Sequence, residues 1–167
     1  TSAFTYNSSA QPASVADAAG TSSYTYDSAG RLATDADAAS GTTGSYSYNN
    51  LDQVTKIAYG TGKNTQSFGY DTLHRLASDT IATTSGAQVA AIGYGYDNSN
   101  DVTSMTTTGL ATTGGGTGTV ANTYGYDQAA RLTSWTATPT SGSAVTKTYG
   151  YDKSGNLNSN NGVTYSY

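Results

Sequence analysis

Hydrophobic and polar positions along this chain alternate in short runs that centre on a recurring pair of aromatic residues. Segments such as "YTYDSAGRL" at 24–32 and "YGYDQAARL" at 124–132 place two aromatics one residue apart, with a small residue between them. In a β-strand, residues i and i+2 point to the same face. Each pair therefore predicts a strand with one aromatic face and one face of small side chains.

The aromatic pair occurs eight times, so the pattern is an internal repeat. Fourteen of the fifteen tyrosines and both phenylalanines lie in these pairs. The steps between second aromatics are 20, 22, 22, 26, 30, 25 and 16 residues. The pairs are Phe4/Tyr6, Tyr24/Tyr26, Tyr46/Tyr48, Phe68/Tyr70, Tyr94/Tyr96, Tyr124/Tyr126, Tyr149/Tyr151 and Tyr165/Tyr167. We interpret residues 1–167 as a single array of about seven repeats, with a period of roughly 20–30 residues and a truncated eighth. Such an array is expected to be a segment of a longer chain or a repeating assembly subunit.

The residues after each aromatic pair predict a turn. Asp or Asn follows the second aromatic in all seven complete copies, and its side chain can accept a hydrogen bond from backbone N–H two residues on. A left-handed backbone is expected three residues later, at Ala10, Gly30, Asp52, His74, Asn100, Ala130 and Gly155. In six copies an aliphatic residue then begins a returning strand. Each unit thus predicts a β-hairpin with a loop of about four or five residues.

Some residues recur at equivalent positions in several copies of the repeat, and their side chains are expected to hold the repeats together. They are Tyr24, Tyr26, Asp27, Gly30, Arg31 and Leu32; Tyr70, Asp71, Arg75 and Leu76; Tyr124, Tyr126, Asp127, Arg131 and Leu132; and Tyr149, Tyr151, Asp152, Gly155 and Leu157. The arginine stands four residues after the aspartate, so it either closes the hairpin as an ion pair or stacks on a tyrosine ring. Glycine between two tyrosines either allows a close approach or reflects tolerance at an exposed face.

Composition narrows the class of protein. Leu, Ile, Val and Phe supply only 19 of 167 residues, so the tyrosines are expected to supply most of the buried apolar surface. Seven basic residues and a net charge of −4 argue against nucleic-acid binding. No apolar run is long enough to predict a membrane span. The 51 Ser and Thr residues favour an exported or surface protein.

The residues offer little catalytic chemistry. His74 is the only histidine, and its turn position predicts a solvent-exposed residue, whereas a general base needs an orienting partner and a nucleophile. Asp35/Asp37 and Asp97/Asp101 lack the spacing of a calcium loop. We therefore predict no catalytic residue, no metal site and no cofactor, and a protein that is not an enzyme.

The pattern Tyr-x-Tyr-Asp-x-x-Gly-Arg-Leu resembles the YD repeat of the Rhs and YD-repeat proteins. These include Rhs toxins, wall-associated proteins, the cocoon component of insecticidal toxin complexes, and teneurins. Tyr24 to Leu32 match the motif in full, and the copies at Phe4 and Tyr46 are degenerate. The resemblance implies an all-β fold, in which tandem β-hairpin repeats form a continuous antiparallel sheet that coils as a spiral shell or open fibre. The Asp-Pro motif of the family's self-cleaving segment is absent from this sequence.

Two functions follow as hypotheses. The first is a structural extracellular protein that builds a β-sheet wall, as a filament subunit or part of a toxin-encapsulating shell. The alternative is a carbohydrate-binding or adhesion module that uses its tyrosine-rich surface. The terminal strands are expected to pair with the same chain's continuation or with another copy, and glycans, bound or O-linked, are the other partners considered. The expected location is secreted or at the surface of a bacterial cell.

Overall fold

The computed structural model describes residues 2–111 and 117–166, and they form strands, turns and loops. The strands are β1 (Ala3–Tyr6), β2 (Pro12–Asp17), β3 (Gly20–Tyr26), β4 (Leu32–Asp37), β5 (Thr42–Tyr48), β6 (Val54–Ala58), β7 (Thr65–Tyr70), β8 (Leu76–Ala82), β9 (Gln88–Tyr96), β10 (Val102–Ala111), β11 (Thr117–Tyr126), β12 (Leu132–Pro139), β13 (Val145–Tyr151), β14 (Leu157–Asn160) and β15 (Val163–Thr164). All fifteen belong to one open antiparallel sheet, whose strand order is the sequence order. The predicted all-β fold of tandem hairpins is confirmed. Within the described residues, no helix is long and apolar enough to cross a membrane.

The chain divides into two compact units, which are described separately. The first comprises Thr1–Gly69 and Thr80–Val89, and the second comprises Tyr70–Asp79 and Ala90–Tyr167. The interpretation of residues 1–167 as a single array stays a prediction.

Each of the first seven aromatic pairs ends an odd-numbered strand, and a five-residue turn leads into the returning strand. In the second hairpin Thr25 pairs with Thr34, whereas Tyr26 pairs with Leu32. Ala33 is therefore an extra residue, and this β-bulge locally bends and twists the returning strand. Register shifts at the second tyrosine recur at Tyr6, Tyr48, Tyr126 and Tyr151.

The sheet has little deep core. Among the described residues only Ala90 and Asn122 are buried, each with 7% of its surface exposed. Most of the paired tyrosines are half-buried. The core expected from the tyrosines is thus a thin aromatic layer on one face of the sheet.

The first unit shows how that aromatic face is built. Phe4, Pro12, Val15, Tyr24, Tyr26 and Leu32 line one open groove of about 420 Å³. On the opposite face hydroxyl side chains meet across the strands, as Thr25 and Thr34 do at 2.6 Å. Alternation along each strand therefore sorts aromatic from hydroxyl side chains.

In the second unit the indole of Trp135 lies beside the buried side chain of Asn122. Its Nε1–H donates to the Asn122 side-chain carbonyl at 2.9 Å, and the Asn122 amide donates to the Met105 carbonyl at 3.1 Å. The buried amide is therefore hydrogen-bonded on both sides, as a polar group in such a place requires.

Candidate functional site

The turn after each aromatic pair is held by its first side chain. One oxygen of Asp27 accepts the backbone N–H groups of Ala29 and Arg31, both at 2.9 Å. Backbone bonds also run from Gly30 N to Asp27 O and from Asp27 N to Arg31 O, at 3.0 and 2.8 Å. The turns that start at Asn7, Asn49, Asp71, Asp97, Asp127 and Asp152 repeat the side-chain bonds.

The predicted left-handed residues are confirmed. Gly30 and Gly155 have φ of +80° and +88°. Five residues with side chains adopt the same region, where a Cβ is unfavourable. They are Ala10 (φ +59°), Asp52 (+60°), His74 (+64°), Asn100 (+71°) and Ala130 (+56°).

The two alternatives for arginine are both present, in the same side chain. Arg31 forms an ion pair with Asp27 at 2.8 Å, and its guanidinium lies over the ring of Tyr48, 4.6 Å from the centroid. Arg75 pairs with Asp71 and covers Tyr96, and Arg131 pairs with Asp127 and covers Tyr151. The tyrosine that each arginine covers belongs to the next repeat.

The arginine also bonds to the next repeat's turn. Nη1 of Arg31 donates to the Asn49 carbonyl at 3.1 Å and to the Asp52 carboxylate at 2.7 Å. Nη1 of Arg75 donates likewise to the Asp97 carbonyl and to Asn100 Oδ1. Each arginine therefore fastens its own turn to the one that follows it.

A second contact between repeats comes from the tyrosine hydroxyl. The Tyr48 hydroxyl donates to the backbone carbonyl of Leu32 at 2.8 Å. Leu32 is the first residue of the preceding returning strand, β4. The same bond joins Tyr26 to Pro12, Tyr96 to Leu76, Tyr126 to Val102 and Tyr151 to Leu132, at 2.8–2.9 Å. We call the stacked arginine and this hydroxyl bond together the inter-repeat clasp.

Sequence reasoning missed the hydroxyl bond, although the sequence carries a signal for it. All eight second aromatics are tyrosine, whereas Phe4 and Phe68 occupy first positions. An aromatic ring is sufficient at the first position of the pair. The second position also needs a hydroxyl group that can donate a hydrogen bond.

The remaining predicted side chains lie in or beside this clasp. Tyr24 lies opposite Asp35, Tyr124 opposite Trp135 and Tyr149 opposite Asn160. Leu32, Leu132 and Leu157 pair with the second tyrosines of their own hairpins. Tyr70 ends its strand before the Asp71 turn.

Glycine between two tyrosines admits a serine from the neighbouring strand. A Cβ on Gly125 would lie 2.5 Å from Oγ of Ser134, its cross-strand partner. A Cβ on Gly150 would lie 2.6 Å from Oγ of Ser159. The close approach considered from the sequence is therefore made by a hydroxyl group.

Hydrogen bonding and burial perturb the pKa values of several of these groups. The backbone N–H of Arg31, followed by its side chain, lowers the pKa of Asp27. The side chain of Arg131 is the main cause that lowers the pKa of Asp127. Burial raises the pKa of Tyr124 and of Tyr126. The carboxylates are thus stabilised as anions and these phenols as neutral groups.

One carboxylate interrupts the aromatic face. Asp35 lies opposite Tyr24 and Gly44, and its buried Oδ1 has no hydrogen-bond partner. Burial, followed by the charge of Asp35, raises the pKa of Tyr46. Within residues 2–111 and 117–166, no three His, Cys, Asp or Glu side chains come together as a metal site.

Comparison with known proteins identifies the repeat. Residues 6–39 match the RHS repeat family. No curated protein matches the chain significantly. A chain of the Photorhabdus luminescens Tc holotoxin pore with a TccC3 mutation is similar over 95% of this chain, with a TM-score of 0.76 and 21% identity. A chain of the TcdB2–TccC3 crystal structure, which lacks the hypervariable C-terminal region, is similar over 93%, with a TM-score of 0.55 and 14% identity.

This chain spans only 9% and 10% of those two solved chains, and the likeness at these identities is one of fold. The family match lies on the best-preserved copy of the motif, since residues 6–39 contain Tyr24 to Leu32. The resemblance read from the sequence is thereby confirmed, since residues 6–39 match the repeat of the RHS (YD-repeat) family.

Proposed function

We propose that this chain is a structural module, a stretch of YD-repeat sheet that forms part of an extracellular wall. The observation that carries the proposal is the inter-repeat clasp. The side chains of Arg31 and Tyr48, at positions that the sequence restates, join one repeat to the next, and the Tyr48 hydroxyl does so through the backbone carbonyl of Leu32. Side chains committed in this way build a sheet, so the module is proposed to be non-catalytic.

The wall is proposed to be part of a shell or filament outside a bacterial cell. The fold shared with chains of Tc toxin structures supports the shell, and the sparsely charged, Ser/Thr-rich composition supports export. At the two ends of the sheet, Phe4 and Tyr6 of β1 and Val163 of β15 are each more than half exposed. Unprotected edge strands recruit further strands. The proposal therefore implies that the protein associates through these two ends. The C-terminal edge strand was expected to extend to Tyr167, which lies outside the described residues.

Size-exclusion chromatography with light scattering, followed by electron microscopy, tests this function. Purified protein is expected to associate as its concentration rises and to form curved or fibrous sheets. A Phe4→Lys/Val163→Lys variant places a charge at each edge and should remain monomeric. Wild-type protein that stays monomeric over a hundredfold concentration range would contradict the proposal.

The open aromatic groove favours a second candidate, glycan binding. Phe4 is 57% exposed, and with Tyr24 and Tyr26 it offers rings to the groove. Apolar ring faces of this kind can stack on the faces of sugar rings. Glycan-array binding that disappears in a Phe4→Ala variant would support this function, whereas equal binding by both proteins would place the glycan elsewhere.

A further inference from the structure

The junction between the fifth and sixth repeats has only half of an inter-repeat clasp. The Tyr126 hydroxyl donates to the Val102 carbonyl at 2.8 Å, as second tyrosines do at other junctions. The turn position that holds arginine in the second, fourth and sixth repeats holds Asp101 here. Among the described residues, no cation lies over the Tyr126 ring. The missing half of this clasp is therefore the stacked guanidinium.

The first and last side chains of the fifth turn are two carboxylates, Asp97 and Asp101. In the six other complete copies these two side chains bond to each other, as an Asp–Arg ion pair at 2.7–2.8 Å, an Asn–Gln pair at 3.0–3.1 Å or an Asp–Asn pair at 3.0 Å. Oδ1 of Asp97 accepts the backbone N–H groups of Ser99 and Asp101. The Asp101 carboxylate makes no hydrogen bond or ion pair with any described residue. The two carboxylates thus attract a cation that the turn itself does not supply.

The sixth turn offers a carbonyl in the place where other repeats receive an arginine. The carbonyls of Asn49, Asp97 and Asp152, each directly after a second tyrosine, accept an arginine Nη1 at 3.1, 3.0 and 3.5 Å. The equivalent carbonyl of the sixth repeat is that of Asp127, which accepts the backbone N–H of Ala130 at 3.0 Å. In the described part of the chain, no side chain donates to it. The backbone that binds a guanidinium elsewhere is therefore present at this junction without an arginine of the chain itself.

The three complete clasps show which chemical group this arrangement binds. In each, a guanidinium lies 4.4–4.6 Å from the centre of a tyrosine ring, pairs with the carboxylate of its own turn and donates to a carbonyl of the next turn. A planar cation with donors on several edges makes all three contacts at once, whereas the ammonium of lysine is a compact point charge. At the fifth junction Tyr126, Asp97 and Asp127 provide the same three contacting groups. The site therefore favours a guanidinium over other cations.

The negative charge at this junction reaches the tyrosine ring. Burial, followed by the charge of Asp101, raises the pKa of Tyr126, because a neighbouring carboxylate disfavours the ionised phenol. Arg75 donates to the Asp97 carbonyl, but its own ion pair is with Asp71. The carboxylate of Asp101 is thus available to a cation from solvent.

We propose that this junction is a binding site for an arginine side chain of a partner protein. The guest guanidinium lies over the Tyr126 ring and donates to the Asp127 carbonyl. Its remaining donors bind the carboxylates of Asp97 and Asp101, so that the clasp is completed from outside.

The partner is a protein of different sequence that carries an exposed arginine. The three arginines of this chain, Arg31, Arg75 and Arg131, are stacked in their own clasps, so a second copy has none to offer. Residues 98–100 and 128–130 are exposed, so both turns are open to a side chain from solvent. The proposal goes beyond the structural function and does not depend on it.

Titration of the whole chain with Nα-acetylarginine amide, followed by NMR, tests this site. Chemical shifts should change at the backbone amides of Ser99, Asp101 and Asp127 and at the Tyr126 ring. Nα-Acetylcitrulline amide has the same shape without the charge. It should bind at least about fivefold more weakly, because it lacks the stacked cation. Nα-Acetyllysine amide should also bind more weakly than the arginine amide.

Two variants and a control locate the contact. Asp101→Asn removes one charge and introduces the residue of the seventh repeat, where Asn156 bonds to Asp152. It should weaken binding of the arginine amide about fivefold or more. Asp101→Arg supplies the guanidinium within the chain, so it should raise the melting temperature and abolish binding. Asp17→Asn changes the net charge as Asp101→Asn does, at an exposed residue of the first unit, and should leave binding unchanged.

Equal binding of the arginine and citrulline amides, or no shift in either titration, would overturn the proposal. Asp101→Arg without a gain in melting temperature would overturn it as well, and this measurement does not depend on the affinity of a free amino acid. Shifts at the same residues with calcium chloride, together with displacement of the arginine amide, would make this a metal site and also overturn it. All of these outcomes would leave the structural function standing.

Discussion

At the scale of single residues, the second tyrosine of each pair acts through both its ring and its hydroxyl. The Tyr48 ring lies under Arg31 while its hydroxyl bonds the Leu32 carbonyl. Tyr24, at a first position, faces Asp35 across the strands and lines the aromatic groove. The two tyrosines of a pair therefore have different roles despite their identical side chains.

Tyr48→Phe separates these roles. It keeps the ring and removes the hydroxyl bond, so it should lower the free energy of unfolding by about 0.5–1.5 kcal/mol. Tyr24→Phe is the matched control and should change it by much less. Urea unfolding followed by circular dichroism measures both. Equal effects of the two substitutions would show that the hydroxyl bond to Leu32 is unimportant.

The left-handed alanine at 130 offers a stabilising substitution. Ala130 has φ of +56°, a conformation that costs a side-chain-bearing residue about 1–2 kcal/mol. Glycine removes that cost but loses about 0.4–1 kcal/mol through a freer unfolded chain. Ala130→Gly should therefore raise the free energy of unfolding by up to about 1 kcal/mol. Thermal melting should show a higher midpoint, and Ala129→Gly in the same turn should lower it or leave it unchanged.

At the scale of the element, the repeating unit is a hairpin whose turn is closed by one carboxylate. Asn7 and Asn49 replace that carboxylate and accept the same backbone N–H groups. The turn therefore needs a side-chain oxygen that accepts hydrogen bonds, whereas the negative charge of aspartate is needed for the ion pair with arginine. The bulge after the turn sets the register of the returning strand beside it.

The charge makes the hairpins sensitive to acid. The pKa of Asp27, Asp71, Asp127 and Asp152 is lowered by hydrogen bonds, from a usual value of 3.8. A lowered folded-state pKa gives stability that is present above the unfolded-state value and is lost as pH falls through the folded-state value. The melting temperature should thus fall below about pH 4. Asp27→Asn should flatten that fall, and an unchanged pH profile in this variant would count against the ion pair.

Much of the hairpin could be predicted from the sequence, because its signals are local. The aromatic pair, the aspartate and the left-handed residue all lie within nine residues, as in Tyr24 to Leu32. The clasp could not be derived in the same way, since Arg31 and Tyr48 meet only after a whole returning strand. Whether the arginine forms an ion pair or stacks on a ring could not be decided from the sequence, because the ring that it covers belongs to the next repeat. The bond between Trp135 and Asn122 was missed for the same reason.

At the scale of the whole molecule, stability should be distributed along the chain. With almost no deeply buried side chain among the described residues, each repeat depends mainly on the repeats beside it. Repeat arrays of this kind gain stability from intrinsic and nearest-neighbour terms. The loss of one clasp is therefore expected to destabilise mainly the two repeats that it joins.

Hydrogen exchange measured by mass spectrometry can locate that damage. Arg31→Ala removes the ion pair with Asp27 and the cover of Tyr48, with an expected cost of about 1–2 kcal/mol. Exchange should quicken in residues 27–58 and stay unchanged in residues 127–160. Arg131→Ala is the matched variant and should give the reverse pattern. A uniform rise along the chain in either variant would show global cooperativity instead.

Because the second tyrosine makes the same hydroxyl bond at five junctions between described repeats, the number of repeats is free to change in evolution. An in-frame deletion of residues 27–48 would leave Tyr26 followed directly by Asn49, which already starts an equivalent turn. Tyr26 would keep its bond to the Pro12 carbonyl. Duplication would likewise add a hairpin whose two sides fit its neighbours. Recombination between repeated gene segments can therefore lengthen or shorten the wall in whole-hairpin steps, without inventing a new contact.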